Sequence, residues 1–255
     1  MSDSLHGKKV LITRENKGAQ YFSKQVLKYE GIPIEVPLLT ISCNDSVKNI
    51  EVLKRIDRFD WIFITSANGV ECFFKLLNQN DIDFKEIKAK FAVVGQKTGD
   101  RLREFGMTAD FIPTKFDADT LAAEFLASKE KPKHVLLVRG NLSRDVLPIE
   151  FTKTEIVYEM MEVYKTDINH DSKDLLIQAL ESQPDFITFT SPSSVDAFDR
   201  LTISKPNAIY VCIGSTTEKR AYELGYQNLI SPPEEFTING MIDCMIDMIN
   251  KKENE

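Results

Sequence analysis

The sequence predicts an α/β protein of two similar lobes, each a mainly parallel sheet flanked by helices. Three observations carry that expectation. Short β-rich runs alternate with stretches of helical periodicity, four segments recur in one order about half a chain apart, and the strand ends repeat hydroxyls and glycines.

In chain order the β-rich runs are "KVLIT" (9–13), "WIFIT" (61–65), "FAVV" (91–94), "DFI" (110–112) and "HVLLV" (134–138). The second half adds "EIVYEMMEVY" (155–164), "FITFT" (186–190), "IYVCI" (209–213) and "NLI" (228–230). Most are apolar without alternation, as strands covered by helices on both faces should be. Between them, apolar residues recur at helical spacing: Phe22, Val26, Leu27 and Tyr29; Val70, Phe73, Phe74 and Leu77; Leu121, Phe125 and Leu126. Strands alternating with amphipathic helices imply βαβ units.

The repeat is internal. "FDWIFITSANGVECFF" (59–74) matches "PDFITFTSPSSVDAFD" (184–199), and "KKVLITR" (8–14) matches "KHVLLVRG" (133–140), so Arg14 and Arg139 stand 125 residues apart. "FAVVGQKTGDRLREFGM" (91–107) matches "IYVCIGSTTEKRAYELGY" (209–226), and "FIPTKFDADTLAAEFL" (111–126) loosely parallels "LISPPEEFTINGMIDCM" (229–245). Four matched segments in one order indicate a duplicated unit. Duplication alone divides the chain near residue 130.

Composition excludes several classes. At 255 residues, 42% hydrophobic and 28% charged, the chain is globular, and no apolar run is long enough for a membrane span. The start, "MSDSLHGKKVLITR", lacks a signal-peptide apolar region, so the cytoplasm is the expected location. A net charge of −7 argues against nucleic acid. The four cysteines (Cys43, Cys72, Cys212, Cys244) suggest no disulfide framework, and with the scattered His6, His134 and His170 they suggest no metal site. A monomer is expected. The Lys-Lys-Glu-Asn-Glu tail reads as a solvated, frayed end.

In parallel α/β sheets ligands bind beyond the carboxyl ends of the strands. Those ends read Thr13-Arg14, Thr65-Ser66-Ala67-Asn68, Gly95-Gln96-Lys97-Thr98, Arg139-Gly140-Asn141, Thr190-Ser191-Pro192-Ser193-Ser194 and Gly214-Ser215-Thr216-Thr217. Taken singly, each is an ordinary helix cap, with Pro192 suited to a first turn. Taken together, six helix starts offer free N–H groups and hydroxyls to carboxylates or phosphates. No P-loop and no Gly-x-Gly-x-x-Gly motif is present, so no nucleotide cofactor is indicated. No Ser/His/Asp set is recognisable. Tyr164, closing a long β-rich run, is either an amphipathic residue at a core edge or a phenol able to donate a proton or hold a leaving hydroxyl. A non-catalytic two-lobe protein that clamps an anionic small molecule shares these features.

Together the segments "VLITR", "FDWIFITSANGVECFF", "FAVVGQKT", "VLLVRGNLSRDVLP", "VYKT", "FITFTSPSSVDAF" and "CIGSTT" resemble the uroporphyrinogen-III synthase family, in its order and over nearly the whole chain. The resemblance implies a bilobed fold with a two-stranded β linker. Residues 1–35 and 169–255 would form one lobe, 44–161 the other, and 36–43 with 162–168 the linker. It implies cofactor-free cyclisation of hydroxymethylbilane, a linear tetrapyrrole carboxylate, to uroporphyrinogen III with inversion of ring D and loss of water. Tyr164 would assist departure of the hydroxyl. Thr98, Thr217, Ser66 and Ser191 would bind substrate at matched helix starts, while Gly140 and Asn141 would admit a carboxylate to the backbone. Asn68 stands at a position that varies in the family. With Arg14, Thr65, Gly95, Ser193, Ser194, Gly214 and Thr216 these complete the expected binding set.

Overall fold

A computed structural model describes residues 3–128, 130 and 132–253. Asn254 and Glu255 of the tail lie outside the described residues. The elements are β1 (Lys9–Ile12), α1 (Asn16–Lys28), β2 (Ile32–Glu35), β3 (Leu39–Cys43), α2 (Val47–Leu53), β4 (Trp61–Ile64) and α3 (Ala67–Gln79). There follow β5 (Lys90–Val93), α4 (Gln96–Glu104), α5 (Ala118–Ala127), β6 (His134–Gly140), α6 (Val146–Thr152) and β7 (Val157–Ile168). The chain ends with α7 (Lys173–Glu181), β8 (Phe186–Phe189), α8 (Pro192–Leu201), β9 (Ile209–Cys212), α9 (Ser215–Glu223), β10 (Leu229–Ile230) and α10 (Ile238–Glu253).

The chain divides into two compact units, Met1–Thr40 with Asp167–Glu255, and Ile41–Thr166. The first unit holds a sheet in the order β10-β9-β8-β1-β2, parallel throughout. Alternate residues of β1 serve different cores, as a period of two requires. Val10 and Ile12 join Phe22, Val26, Phe186 and Met245 on one face. Leu11 joins Ile187, Phe189, Phe198 and Tyr226 on the other.

The second sheet has the order β3-β7-β6-β4-β5, with β7, β6, β4 and β5 parallel. Ile62 and Ile64 of β4 face the Val70, Phe73 and Phe74 side of α3. Trp61 and Phe63 face Phe125 and Phe151 on the opposite side. Asn44 donates to the Val163 carbonyl and Asn169 to the Leu38 carbonyl, opposite ends of an antiparallel β3–β7 pair. The chain passes from one unit to the other inside these two strands.

This arrangement reconciles duplication with the division of the chain. By sequence match β1 corresponds to β6, β8 to β4 and β9 to β5. In space β2-β1-β8-β9 of the first sheet has the same order as β7-β6-β4-β5 of the second. Each unit therefore takes its first strand pair from one copy and its second from the other.

One strand is absent from the sequence reading, and two expectations need correction. β2 escapes a sequence reading because Pro33 interrupts it, yet an edge strand tolerates a missing N–H, and β2 is the edge beside β1. "DFI" (110–112) shrinks to a single parallel bridge, Ala92 to Phe111, the counterpart of two-residue β10. Cys43 and Cys72 are joined in a disulfide, with Cα atoms 5.2 Å apart. Their 29-residue separation hid a proximity that exists only once the end of β3 lies against α3. Among the described residues, no helix is long and apolar enough to cross a membrane.

Candidate functional site

The carboxyl ends of β4, β5 and β6 gather chemistry in the second unit. At the end of β4, Ser66 is the N-cap of α3, its Oγ accepting from the Gly69 N–H at 2.9 Å. The same Oγ donates to the Tyr164 hydroxyl at 3.1 Å. Tyr164 reaches that position through a bulge. Arg139 pairs with Glu162, but Gly140 pairs with Tyr164, so the register slips by one residue. Met161, Val163 and Tyr164 consequently pack on one core, which strict alternation forbids.

Gly140 is required there for contact. A Cβ on it would stand 2.3 Å from Tyr164 Cζ and 2.4 Å from Cε2. The space that the resemblance implies for a carboxylate is thus filled by the phenol ring, and the Gly140 N–H donates to Ser143 Oγ at 3.1 Å. Asn141 is also committed. Its Oδ1 accepts from the Thr166 N–H at 2.8 Å, its Nδ2 donates to the Thr166 carbonyl at 3.3 Å, and its N–H donates to the Tyr164 carbonyl. The amide extends the β6–β7 ladder by one rung and holds Tyr164 in register. Thr65 is half-buried at the cavity described below, and Asn68 lies in the first turn of α3.

The matched helix start in the first unit is closed by its own side chains. Ser191 caps α8 in a reciprocal box with Ser194: the Ser194 N–H donates to Ser191 Oγ at 3.2 Å, and the Ser191 N–H to Ser194 Oγ at 3.3 Å. Ser193 Oγ lies 2.9 Å from Ser191 Oγ, and Ser194 is fully buried. Arg14 is paired with Glu15 through Nε at 3.0 Å.

The starts of α4 and α9 differ. Their N-caps are Gly95 and Gly214, without a capping side chain. Among the described residues no acceptor meets the N–H groups of Gln96 and Lys97, or of Ser215 and Thr216. Thr98 and Thr217, expected to bind ligand, are instead only 4% and 3% exposed. Thr216 is exposed. Over each glycine lies an exposed aromatic ring. A Cβ on Gly95 would stand 2.7 Å from Phe116, and one on Gly214 2.9 Å from Phe236. These rings are 65% and 57% exposed. The parallel of "TKFDADT" with "EEFTING" contained this signal, because it aligns the two phenylalanines.

Phe116 also walls a cavity of about 320 Å³ lined by Thr65, Val94, Asp117, Arg139, Ser143 and Arg144 among others. Arg139 is 7% exposed and bonds Asp145 through Nη1 at 2.6 Å and the Ser143 carbonyl through Nη2. Its Nε is a buried donor without a partner among the described residues. Arg144 lies in an exposed pair with Asp119 at 3.2 Å. Asp117 caps α5, accepting from the Thr120 N–H at 2.7 Å and its hydroxyl at 2.9 Å. The Thr120 N–H bond is the main cause that holds the Asp117 carboxyl below its ordinary value, against a smaller opposing effect of burial.

Replacing Asp117 with Ala is therefore expected to cost about 0.5–2 kcal/mol at neutral pH. A lowered folded value means this contribution is full above the unfolded value of 3.8 and fades as pH falls through the folded one. Thermal melts of both proteins at neutral and strongly acidic pH check it: the gap should narrow in acid, and a gap that does not would remove the carboxylate as its source.

The free thiols offer no nucleophile. Burial, with Glu218 nearby, pushes the Cys212 thiol up to about 12, and burial also raises that of Cys244. Among the described residues no group of three or more His, Cys, Asp or Glu could hold a metal ion.

The comparisons with known proteins agree on one family. The family model for uroporphyrinogen-III synthase HemD matches residues 20–243. The putative uroporphyrinogen-III synthase of Methanocaldococcus jannaschii is 32% identical over 250 residues, covering 93% of this chain and 97% of that one. The porphyrin biosynthesis protein HemD of Ruminiclostridium josui is 28% identical over 97% of this chain, which spans only 50% of that protein. Among solved structures, a mutant uroporphyrinogen III synthase from Thermus thermophilus superposes with a TM-score of 0.67 at 13% identity, covering 96% of this chain and 99% of that one. The Helicobacter pylori uroporphyrinogen-III synthetase superposes at 0.64 with 16% identity, over 94% and 99%. These two likenesses establish the fold, α/β with mainly parallel sheets flanked by helices, and the sequence matches establish descent: the chain belongs to the uroporphyrinogen-III synthase family.

Proposed function

We propose that the protein cyclises hydroxymethylbilane to uroporphyrinogen III, with loss of water and inversion of ring D, and that Tyr164 assists the first step. The observation that carries the residue assignment is the Tyr164 hydroxyl, held at 3.1 Å by Ser66 Oγ at the mouth of a helix start. Ser66 donates to the phenol oxygen, which leaves the phenol proton free for an acceptor such as a departing hydroxyl. Protonated, that hydroxyl leaves as water and the terminal ring becomes an electrophilic azafulvenium. Attack through the substituted carbon of the far ring gives a spiro intermediate, whose fragmentation and reclosure invert that ring and release a proton.

The demand on the protein is positional, because the unassisted chain closes without inversion. Restricting a flexible, eightfold-carboxylated substrate is a large lever of its own. The glycine-capped starts of α4 and α9 are better candidates for carboxylate binding than the serine-capped ones, since Ser66 and Ser191 already serve their own helices. Arg14, Ser193 and Ser194 rank low for the same reason, their polar groups being paired locally.

The test is direct. Protein supplied with fresh hydroxymethylbilane and no added cofactor should yield mainly the type III isomer after oxidation to porphyrin. Type I product at the uncatalysed rate would overturn the assignment.

A further inference from the structure

We propose that the cavity between Phe116 and Arg139 is a subsite for a single pyrrole ring, its face against Phe116 and its carboxylate toward Arg139 and Arg144. This deepens the tetrapyrrole reading above and rests on it.

Phe116 is a large apolar side chain left open to solvent at the ligand end of a sheet, where an unused ring costs hydrophobic free energy. It is seated by Gly95, since any Cβ there would meet the ring, so its position is built into the backbone. The arrangement exists twice, with Phe236 on Gly214, which makes an accident of one loop a poor account. Aromatic faces prefer offset or edge contact with another ring, and a pyrrole supplies one.

The rest of the lining supplies guanidinium donors. Two arginines and one carboxylate line the cavity, and that carboxylate, Asp117, is already bonded to Thr120. Asp145 and Asp119, which pair with the arginines, are outside the lining. Arg139 lines the cavity, and its buried Nε has no acceptor among the described residues, so its guanidinium keeps unspent donor capacity at this wall. Its counterpart by duplication, Arg14, has its Nε paired with Glu15. At about 320 Å³ the space suits one substituted five-membered ring rather than four.

The experiment titrates the full-length protein with pyrrole-2-carboxylate and, separately, with cyclopentanecarboxylate, following ligand signals by saturation-transfer NMR. Wild-type protein should bind the aromatic probe about fivefold more tightly than the saturated one. Phe116→Ala should abolish that preference and raise KM for hydroxymethylbilane by about fivefold or more, while Phe116→Tyr restores both. Equal binding of the two probes by wild type, or a preference that survives Phe116→Ala, overturns the subsite. Wild-type protein that binds pyrrole-2-carboxylate as expected but does not turn over hydroxymethylbilane would instead sink the enzymatic reading and leave the ring site standing.

Discussion

Tyr164→Phe is expected to lower kcat about 100-fold while leaving the melting temperature and KM nearly unchanged, the pattern of a lost proton donor. The ring stays in its seat against Gly140, and only the hydroxyl held by Ser66 is removed. Gly140→Ala asks the complementary question. Its methyl would stand 2.3 Å from Tyr164 Cζ, far inside contact distance, so the ring must swing and the 3.1 Å bond to Ser66 must break. A loss of kcat comparable with that of Tyr164→Phe should follow, although the hydroxyl is still present. Wild-type turnover in Tyr164→Phe would take the phenol out of the mechanism. A fully active Gly140→Ala would show that its placement does not matter.

Phe125→Ala is expected to have the largest effect on stability. The ring is fully buried and meets Trp61, Phe63 and Phe111 edge-to-face at 4.9, 4.7 and 5.3 Å between centroids. Removing a core phenylalanine costs about 3–5 kcal/mol, against a total of roughly 5–15 for a domain. Trp61 is the sole tryptophan and belongs to this cluster, so its fluorescence reports unfolding of the second unit alone. Guanidinium titration should show the Trp61 midpoint fall sharply. A midpoint equal to that of the wild type would mean the cluster collapses onto the gap without cost.

Much of this was legible in the chain, and the exceptions share a cause. Strands such as "WIFIT" and "FITFT" announce themselves because burial on both faces demands unbroken apolar runs. Ser66 and Ser191 are legible as caps because capping is local. What stayed hidden depends on pairing. Tyr164 is legible as a candidate, but its placement beside Ser66 needs a one-residue slip between β6 and β7, which no local pattern encodes. The resemblance implies that Gly140 and Asn141 admit a carboxylate, whereas in the structure one seats a ring and the other continues a ladder. Phe116 stays hidden for the same reason, because its neighbours Lys115 and Asp117 do not reveal that its exposed ring lies over Gly95.

The bond between Cys43 and Cys72 gives the two halves of the molecule unequal dependence on electrons. Closing a loop of 29 residues restricts the unfolded chain, which favours the folded state by about 3–4 kcal/mol in the chain-entropy account. That benefit falls to the unit that contains Tyr164, whereas the other unit holds only the unbonded Cys212 and Cys244. A reductant therefore acts as a selective denaturant, eroding the margin of the half that carries the phenol while leaving its partner half as it was.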